Sequence, residues 1–255
     1  MKKLILIALS LFTSACGTPE VENNAEAYYK LGIAWHRKGE YDRSINKYSK
    51  AIEINPRYVE AYYSRGVAYA RKGQLDKAIS DYTRAMEINP KCALAYYNRG
   101  VAYTRKGLHD NAISDYTRAM EINLKCALTY YSRGVAYARK GQLDKAISDY
   151  TRAMEINPKC ALAYYNRGVA YARKGQLDKA ISDYSKAIHI NSKIAMAYHN
   201  RGTAYYFKGE HDKAWKDVNM AQSLGYPVRS GFLESLHQAS KEDNEELGGP
   251  LSMSD

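Results

Sequence analysis

Between residues 162 and 174, apolar and small side chains fall in two stripes. Tyr164, Gly168 and Tyr171 stand at i, i+4 and i+7, and Leu162, Tyr165, Val169, Ala172 and Arg173 run beside them. That spacing predicts a helix with two adjoining faces, stopped by Gly175 after a basic last turn. A second helix is predicted from Asp178, carrying Ala180, Tyr184 and Ala187. The aspartate is expected to cap it through its free amides, and an Asn-Pro pair such as Asn157-Pro158 to end it.

The pattern recurs along the chain. Gly32, Gly66, Gly100, Gly134, Gly168 and Gly202 are spaced 34 residues apart, and so are Asp42, Asp76, Asp110, Asp144, Asp178 and Asp212. Tyr62 to Cys92 and Tyr130 to Cys160 are the same string letter for letter, the mark of recent duplication. A strict period of this size indicates a solenoid, whose units bury too little alone and must stack on neighbours. Small residues such as Gly168 and Ala180 let paired helices approach, while Tyr164, Tyr171 and Tyr184 fill the space beside them.

Tyr62, Gly66, Tyr69, Ala78, Tyr82, Ala85 and Pro90 in one unit, and Tyr164, Gly168, Tyr171, Ala180, Tyr184 and Ala187 in another, resemble the tetratricopeptide repeat family. The resemblance covers about four fifths of the chain. It implies an all-α tetratricopeptide-repeat solenoid, a right-handed superhelix of six helix-turn-helix units plus a C-terminal capping helix. The expected units are 25–58, 59–92, 93–126, 127–160, 161–194 and 195–228, with the capping helix at 229–241 and an acidic flexible tail at 242–255. The chain departs from the family pattern at Leu31 and Ser44 in the first unit, at Leu124 and Ser192 where proline is usual, and at Val218 in place of an aromatic residue.

In the family the first helix of each unit lines the concave surface, so the resemblance puts the second stripe in a groove. The rows are then Tyr63, Tyr97, Tyr131 and Tyr165; Val67, Val101, Val135 and Val169; and Arg71, Arg105, Arg139 and Arg173. Ser64, Asn98, Ser132 and Asn166 supply polar groups near the tyrosines. Such a surface suits a protein or peptide with apolar and acidic side chains. The other reading of the arginines is that they are solvated helix ends favoured by the helix dipole. Chaperone-binding members of the family clamp a terminal carboxylate on this face, but the matching places hold Tyr97 and Val101, so that activity is not carried over.

Arg65 and Asp81, Arg99 and Asp115, Arg133 and Asp149, Arg167 and Asp183, and Arg201 and Asp217 recur together, and in the first unit both places change, to Leu31 and Lys47. This joint change predicts an ion pair or a shared hydrogen-bond network between the two helices of a unit.

Composition and charge bear on location and partner. The formal charge is +11, and 25 tyrosines stand against 3 phenylalanines and 2 tryptophans. An excess of positive charge favours anionic partners. The N-terminus runs from Lys2-Lys3 through Leu4 to Leu9 into Thr13-Ser14-Ala15-Cys16, which reads as a signal peptide over 1–15. Removing it lowers the charge to about +9. Its ending resembles the lipobox of bacterial lipoproteins, with Thr13 where leucine is usual. The resemblance makes Cys16 the lipidated first residue of a 16–24 tether and, with Gly17 following, implies the outer membrane and a periplasm-facing protein. An ordinary signal peptide that merely ends near a cysteine is the alternative.

The chain is therefore expected to be a non-catalytic envelope scaffold, with a binder of anionic glycan, or of nucleic acid if the chain is not exported, as the alternative. No cofactor, metal or small-molecule substrate is expected. Cys92, Cys126 and Cys160 occupy equivalent places in successive units, too far apart for disulfides. The six histidines lack metal-ligand spacing, and Ser44-Ile45-Asn46-Lys47 matches a Ser-x-x-Lys pattern without the other motifs of penicillin-recognising enzymes.

Overall fold

The structure, a computed structural model, describes residues 24–123 and 126–247. The signal peptide at 1–15, the lipidation site Cys16, nearly all of the tether, Leu124 and the end of the tail lie outside the described residues. Among the described residues all regular structure is α-helical. The chain divides into two compact units, the first ending at Ile122 and the second beginning at Asn123.

The first contains α1 (Ala25–Arg37), α2 (Tyr41–Ile54), α3 (Val59–Arg71), α4 (Leu75–Ile88), α5 (Ala93–Arg105) and α6 (His109–Ile122). The second contains α7 (Ala127–Arg139), α8 (Leu143–Ile156), α9 (Ala161–Arg173), α10 (Leu177–Ile190), α11 (Ala195–Phe207), α12 (His211–Ser223) and α13 (Ser230–Leu247). Within each, paired helices pack on one another and then on the next pair in chain order. Each is an all-α tetratricopeptide-repeat stack, as the period implies.

The helix ends follow local chemistry. At the close of α9, Gly175 adopts φ +72°, its amide donates to the Ala172 carbonyl at 2.9 Å, and the Gln176 amide donates to the Tyr171 carbonyl at 2.9 Å. This left-handed closure satisfies the last carbonyls and turns the chain back on itself. Asn157 ends α8 with a non-helical backbone, φ −131° and ψ 89°, and its side chain accepts from the Lys159 amide at 3.1 Å. Asn191 makes the same bond to Lys193 at 3.0 Å although Ser192 replaces the proline, so the asparagine is sufficient to hold the turn.

The expectation that the recurring aspartates cap the second helices is corrected. The residue before α10 is Gln176, without a side-chain cap bond, and Asp178 lies one residue inside the helix. There it accepts from Lys208 of the next repeat, as Asp144 does from Lys174, Asp42 from Lys72 and Asp76 from Lys106. The carboxylate favours the positive helix end while bridging repeats. Because its partner lies 30 residues on, local sequence does not reveal it.

Close approach explains the recurring glycine. A Cβ on Gly168 would sit 2.8 Å from the ring of Tyr184, which is 1% exposed. Ala180 and Ala187 are fully buried around it. In the last repeat Val218 replaces the tyrosine, and the space is filled from the C-terminal side: Leu236 of α13 is buried with Val218 and Ala214, with Phe232, Leu233 and Trp215 packed against them. The capping helix extends beyond residue 241, where the acidic tail was expected to begin, and runs to Leu247. Asp243 reaches the His211 ring at 2.5 Å, Trp215 donates to Ser240 at 2.9 Å, and Gln238 donates to Glu242 at 2.8 Å. These contacts order residues whose composition alone reads as solvated.

Candidate functional site

In the first unit, the stripe beside the packed face of the first helices carries Tyr29, Tyr63 and Tyr97; in the second it carries Tyr131, Tyr165 and, at the equivalent place, His199. All are half-buried. Their rings lie on the fully buried tyrosines of the paired helices: Tyr63 on Tyr82, Tyr131 on Tyr150 and Tyr165 on Tyr184 at 6.0 Å, and Tyr97 on Tyr116 at 5.7 Å. The row is thus half wall and half surface.

The phenol oxygens are engaged by the following repeat. Asn98 donates to Tyr63 at 2.8 Å, Asn166 to Tyr131 at 2.9 Å and Asn200 to Tyr165 at 3.1 Å, while the Tyr29 and Ser64 hydroxyls lie 3.4 Å apart. A phenol that accepts from an amide keeps its own O–H for donation. Burial pushes the Tyr63 and Tyr165 phenols above their ordinary pKa, against the opposing effect of the asparagine bonds. At neutral pH they are therefore donors and carry no charge. The pairing of asparagine with a tyrosine 35 residues earlier was legible only as proximity of two rows.

Val101 in the first unit and Val135 in the second are half-buried on the same stripe, next to exposed Arg105 and Arg139. Arg71 and Arg173 hold the same last helical place. Two arginines are tied back to the backbone of the preceding repeat, Arg105 to the Ala70 carbonyl at 3.0 Å and Arg173 to the Ala138 carbonyl at 3.2 Å. Each bond occupies one of the five guanidinium N–H groups. The arginines therefore satisfy a helix C-terminus and still present charge to the face.

The five predicted Arg–Asp pairs are all present and all bidentate. Arg167 meets Asp183 at 2.7 and 2.8 Å, and the other four pairs fall within the same 2.7–2.8 Å. Arg167 also donates to Thr151 of the preceding second helix at 2.8 Å, as Arg99 does to Thr83 and, at 2.9 Å, Arg65 to Ser49 and Arg201 to Ser185. Tyr171 and Tyr164 flank its cation at 5.7 and 6.0 Å. One guanidinium thus joins three helices. These arginines hold the two helices of a repeat together.

Cys92, Cys126 and Cys160 are free and half-buried, immediately before α5, α7 and α9. Cys92 packs against Ala85, Met86 and Ala95 as a small apolar residue. Ser44 is fully buried, which keeps its hydroxyl from any substrate. Among the described residues no cluster of His, Cys, Asp and Glu is arranged to hold a metal ion, and no helix is long and apolar enough to cross a membrane.

Paired helices closed by a glycine turn, a close glycine contact within each pair and a repeated half-buried stripe define a helical-repeat scaffold. The chain belongs to the tetratricopeptide-repeat family: a TPR repeat model matches residues 34–73 and 136–175, and a tetratricopeptide repeat model matches 59–92, 93–126 and 161–193. Proteins of this family are generally non-catalytic scaffolds for protein–protein interaction. No match was found among curated proteins. Among solved structures, the crystal structure of MamA is 31% identical, with 65% of this chain and 97% of that one covered at a TM-score of 0.62. YrrB, described as a TPR protein with an unusual peptide-binding site, is 25% identical, with 76% and 97% covered at 0.63. A tetratricopeptide repeat protein from Parabacteroides merdae, 22% identical with 88% and 86% covered at 0.60, shares the fold.

Proposed function

We propose that this chain is a non-catalytic scaffold that holds a protein or peptide partner, acidic in part, against the tyrosine, valine and arginine rows. We further propose that it is exported and anchored through a lipid on Cys16, facing the periplasm at the outer membrane, where it serves assembly of an envelope complex. The observation that carries the binding reading is the recurrence, in both compact units, of half-buried phenols, held by asparagines of the following repeat, beside half-buried valines and exposed guanidiniums. Such a surface offers apolar area, hydrogen-bond donors and positive charge together. The peptide-binding site described for YrrB supports the same use of the fold. The proposed anchor rests on the Lys-Lys, apolar and Ser-Ala-Cys succession at the N-terminus.

A photo-crosslinking residue at Arg139, in cells, tests the binding reading. The expected result is a captured protein whose attached segment is apolar and acidic, with capture lost when Tyr131 and Tyr165 are both replaced by serine in a chain that retains its helical circular dichroism. Unchanged capture in that variant refutes the groove. Capture of glycan or nucleic acid, lost steeply with added salt, favours the polyanion reading instead. Palmitate labelling and membrane fractionation test the anchor, and equal labelling of Cys16→Ala refutes it.

A further inference from the structure

The first unit holds a feature that the repeat pattern does not supply. A cavity of about 270 Å³ opens between its first two repeats, lined by Ile33, His36, Arg37, Tyr63, Ser64 and Val67 among others. It differs from its equivalents because His36 takes a place that holds Ala70, Thr104, Ala138, Ala172 and Tyr206 in the later repeats. The imidazole stands edge-on to Tyr41 at 5.2 Å, and its Nδ1 is buried without a hydrogen-bond partner among the described residues.

Two cations stand by this cavity. Arg37 lines it, and the charge of Arg71 acts on His36, which burial first and Arg71 second hold below the usual histidine pKa. Neither arginine has an ion-pair partner among the described residues, and the backbone tie that Arg105 makes to Ala70 has no counterpart from Arg71 to His36. No carboxylate is among the lining residues. Small-molecule sites usually measure about 300–1,000 Å³. This cavity is at the small end, the scale of a single side chain.

We propose that the cavity is an anchor subsite for a peptide, taking one apolar side chain whose adjoining carboxylate is held by Arg37 and Arg71. Charge complementarity selects the carboxylate, since two free guanidiniums offer forked donors and nothing lining the cavity competes for them. The mostly apolar lining selects the side chain, and the His36 ring beside it reports the arrival of charge. The subsite shares lining places with the terminal-carboxylate clamp, Ile33 and Val67 standing where Val101 does and Tyr63 where Tyr97 does, but the carboxylate is held one helical turn further on, by Arg37 and Arg71. It rests on the peptide-binding reading above and adds where the ligand is anchored and by what chemistry.

The test is histidine-detected NMR of the full chain, with the His36 signal assigned from His36→Gln. Three probes are titrated: N-acetyl-leucine, with a terminal carboxylate; N-acetyl-leucyl-glutamate amidated at its C-terminus, with a side-chain carboxylate; and N-acetyl-leucinamide, with none. Expected is that at least one carboxylate probe binds ten-fold or more tighter than the amide and raises the His36 pKa, because a nearby anion favours imidazolium. The tighter carboxylate probe identifies the source of the group. Arg37→Gln with Arg71→Gln, both at exposed positions, should abolish the difference, and Val67→Phe should weaken all probes. Equal binding of the amide, indifference to the arginine changes, or no movement of His36 overturns the subsite. If that failure accompanies intact capture through Tyr131 and Tyr165, the peptide-binding reading stands; loss of both overturns the reading itself.

Discussion

Removing Asp183 should unlock the second unit locally. Arg167 then loses two bonds of 2.7 and 2.8 Å and stays between helices with its side chain only 19% exposed. Breaking a buried pair costs about 3–5 kcal/mol. Because the guanidinium keeps Thr151 and some water, the low end, about 3 kcal/mol, is expected for Asp183→Ala, or roughly 100-fold faster exchange of protected amides. Repeat arrays need not unfold as one, so the informative assay is hydrogen exchange of α9 and α10, with α12 as an internal reference. The first repeat indicates how the site can do without the pair, with Leu31 and Lys47 in the two places. Arg167→Leu alone leaves a carboxylate only 6% exposed without its cation, and Asp183→Lys alone opposes two cations. The double variant should be more stable than the sum of the singles by about 1–3 kcal/mol. A cost below about 1 kcal/mol for Asp183→Ala, or simple additivity in the double variant, would refute the assignment of this pair to the scaffold.

Two other outcomes follow from packing and burial. Gly168→Ala gains about 1 kcal/mol of helix propensity but drives a methyl to 2.8 Å from Tyr184, costing about 1–3 kcal/mol by overpacking. Gly202→Ala, whose nearest neighbours lie at 3.1–3.2 Å, should fall closer to neutral in the same unfolding assay. His199, stacked on Tyr226 at 4.6 Å, has a folded-state pKa held down by burial first and Arg229 second. A histidine depressed in the folded state contributes stability that is present above its unfolded pKa, about 6.5, and is lost as pH falls through the folded value. Thermal unfolding from pH 7.5 to 5 should show that loss, and His199→Gln should reduce the slope; an unchanged slope refutes the contribution.

The architecture was legible because its determinants recur. A glycine every 34 residues, with tyrosine and alanine at fixed offsets, repeats one packing solution, and each copy reinforces the reading. The Arg–Asp pairs were legible for the opposite reason: one repeat, with Leu31 and Lys47, breaks the pattern at both places. What stayed hidden depends on neighbours in the stack. Asp178 looks like a cap until Lys208 is brought beside it, and Tyr165 looks like free surface until Asn200 meets its oxygen. Acidic residues beyond 241 look solvated until His211 reaches Asp243. His36 was invisible as a site because a change in one repeat carries no periodic signal, and only the cavity beside it shows what the added ring does.

The arginine that joins three helices also bears on how the chain grew. Arg167 grips its own Asp183 and the Thr151 behind it, and Arg99 grips Asp115 and Thr83 in the same way, so a repeat brings its own fastener and leaves a hydroxyl for the next. Such a join works between any two copies, because neither side has to be remade when a neighbour changes. The identity of Tyr62 to Cys92 with Tyr130 to Cys160 is what that interchangeability permits. Array length becomes a heritable variable that moves in whole repeats, and the number of half-buried tyrosines along the stripe moves with it.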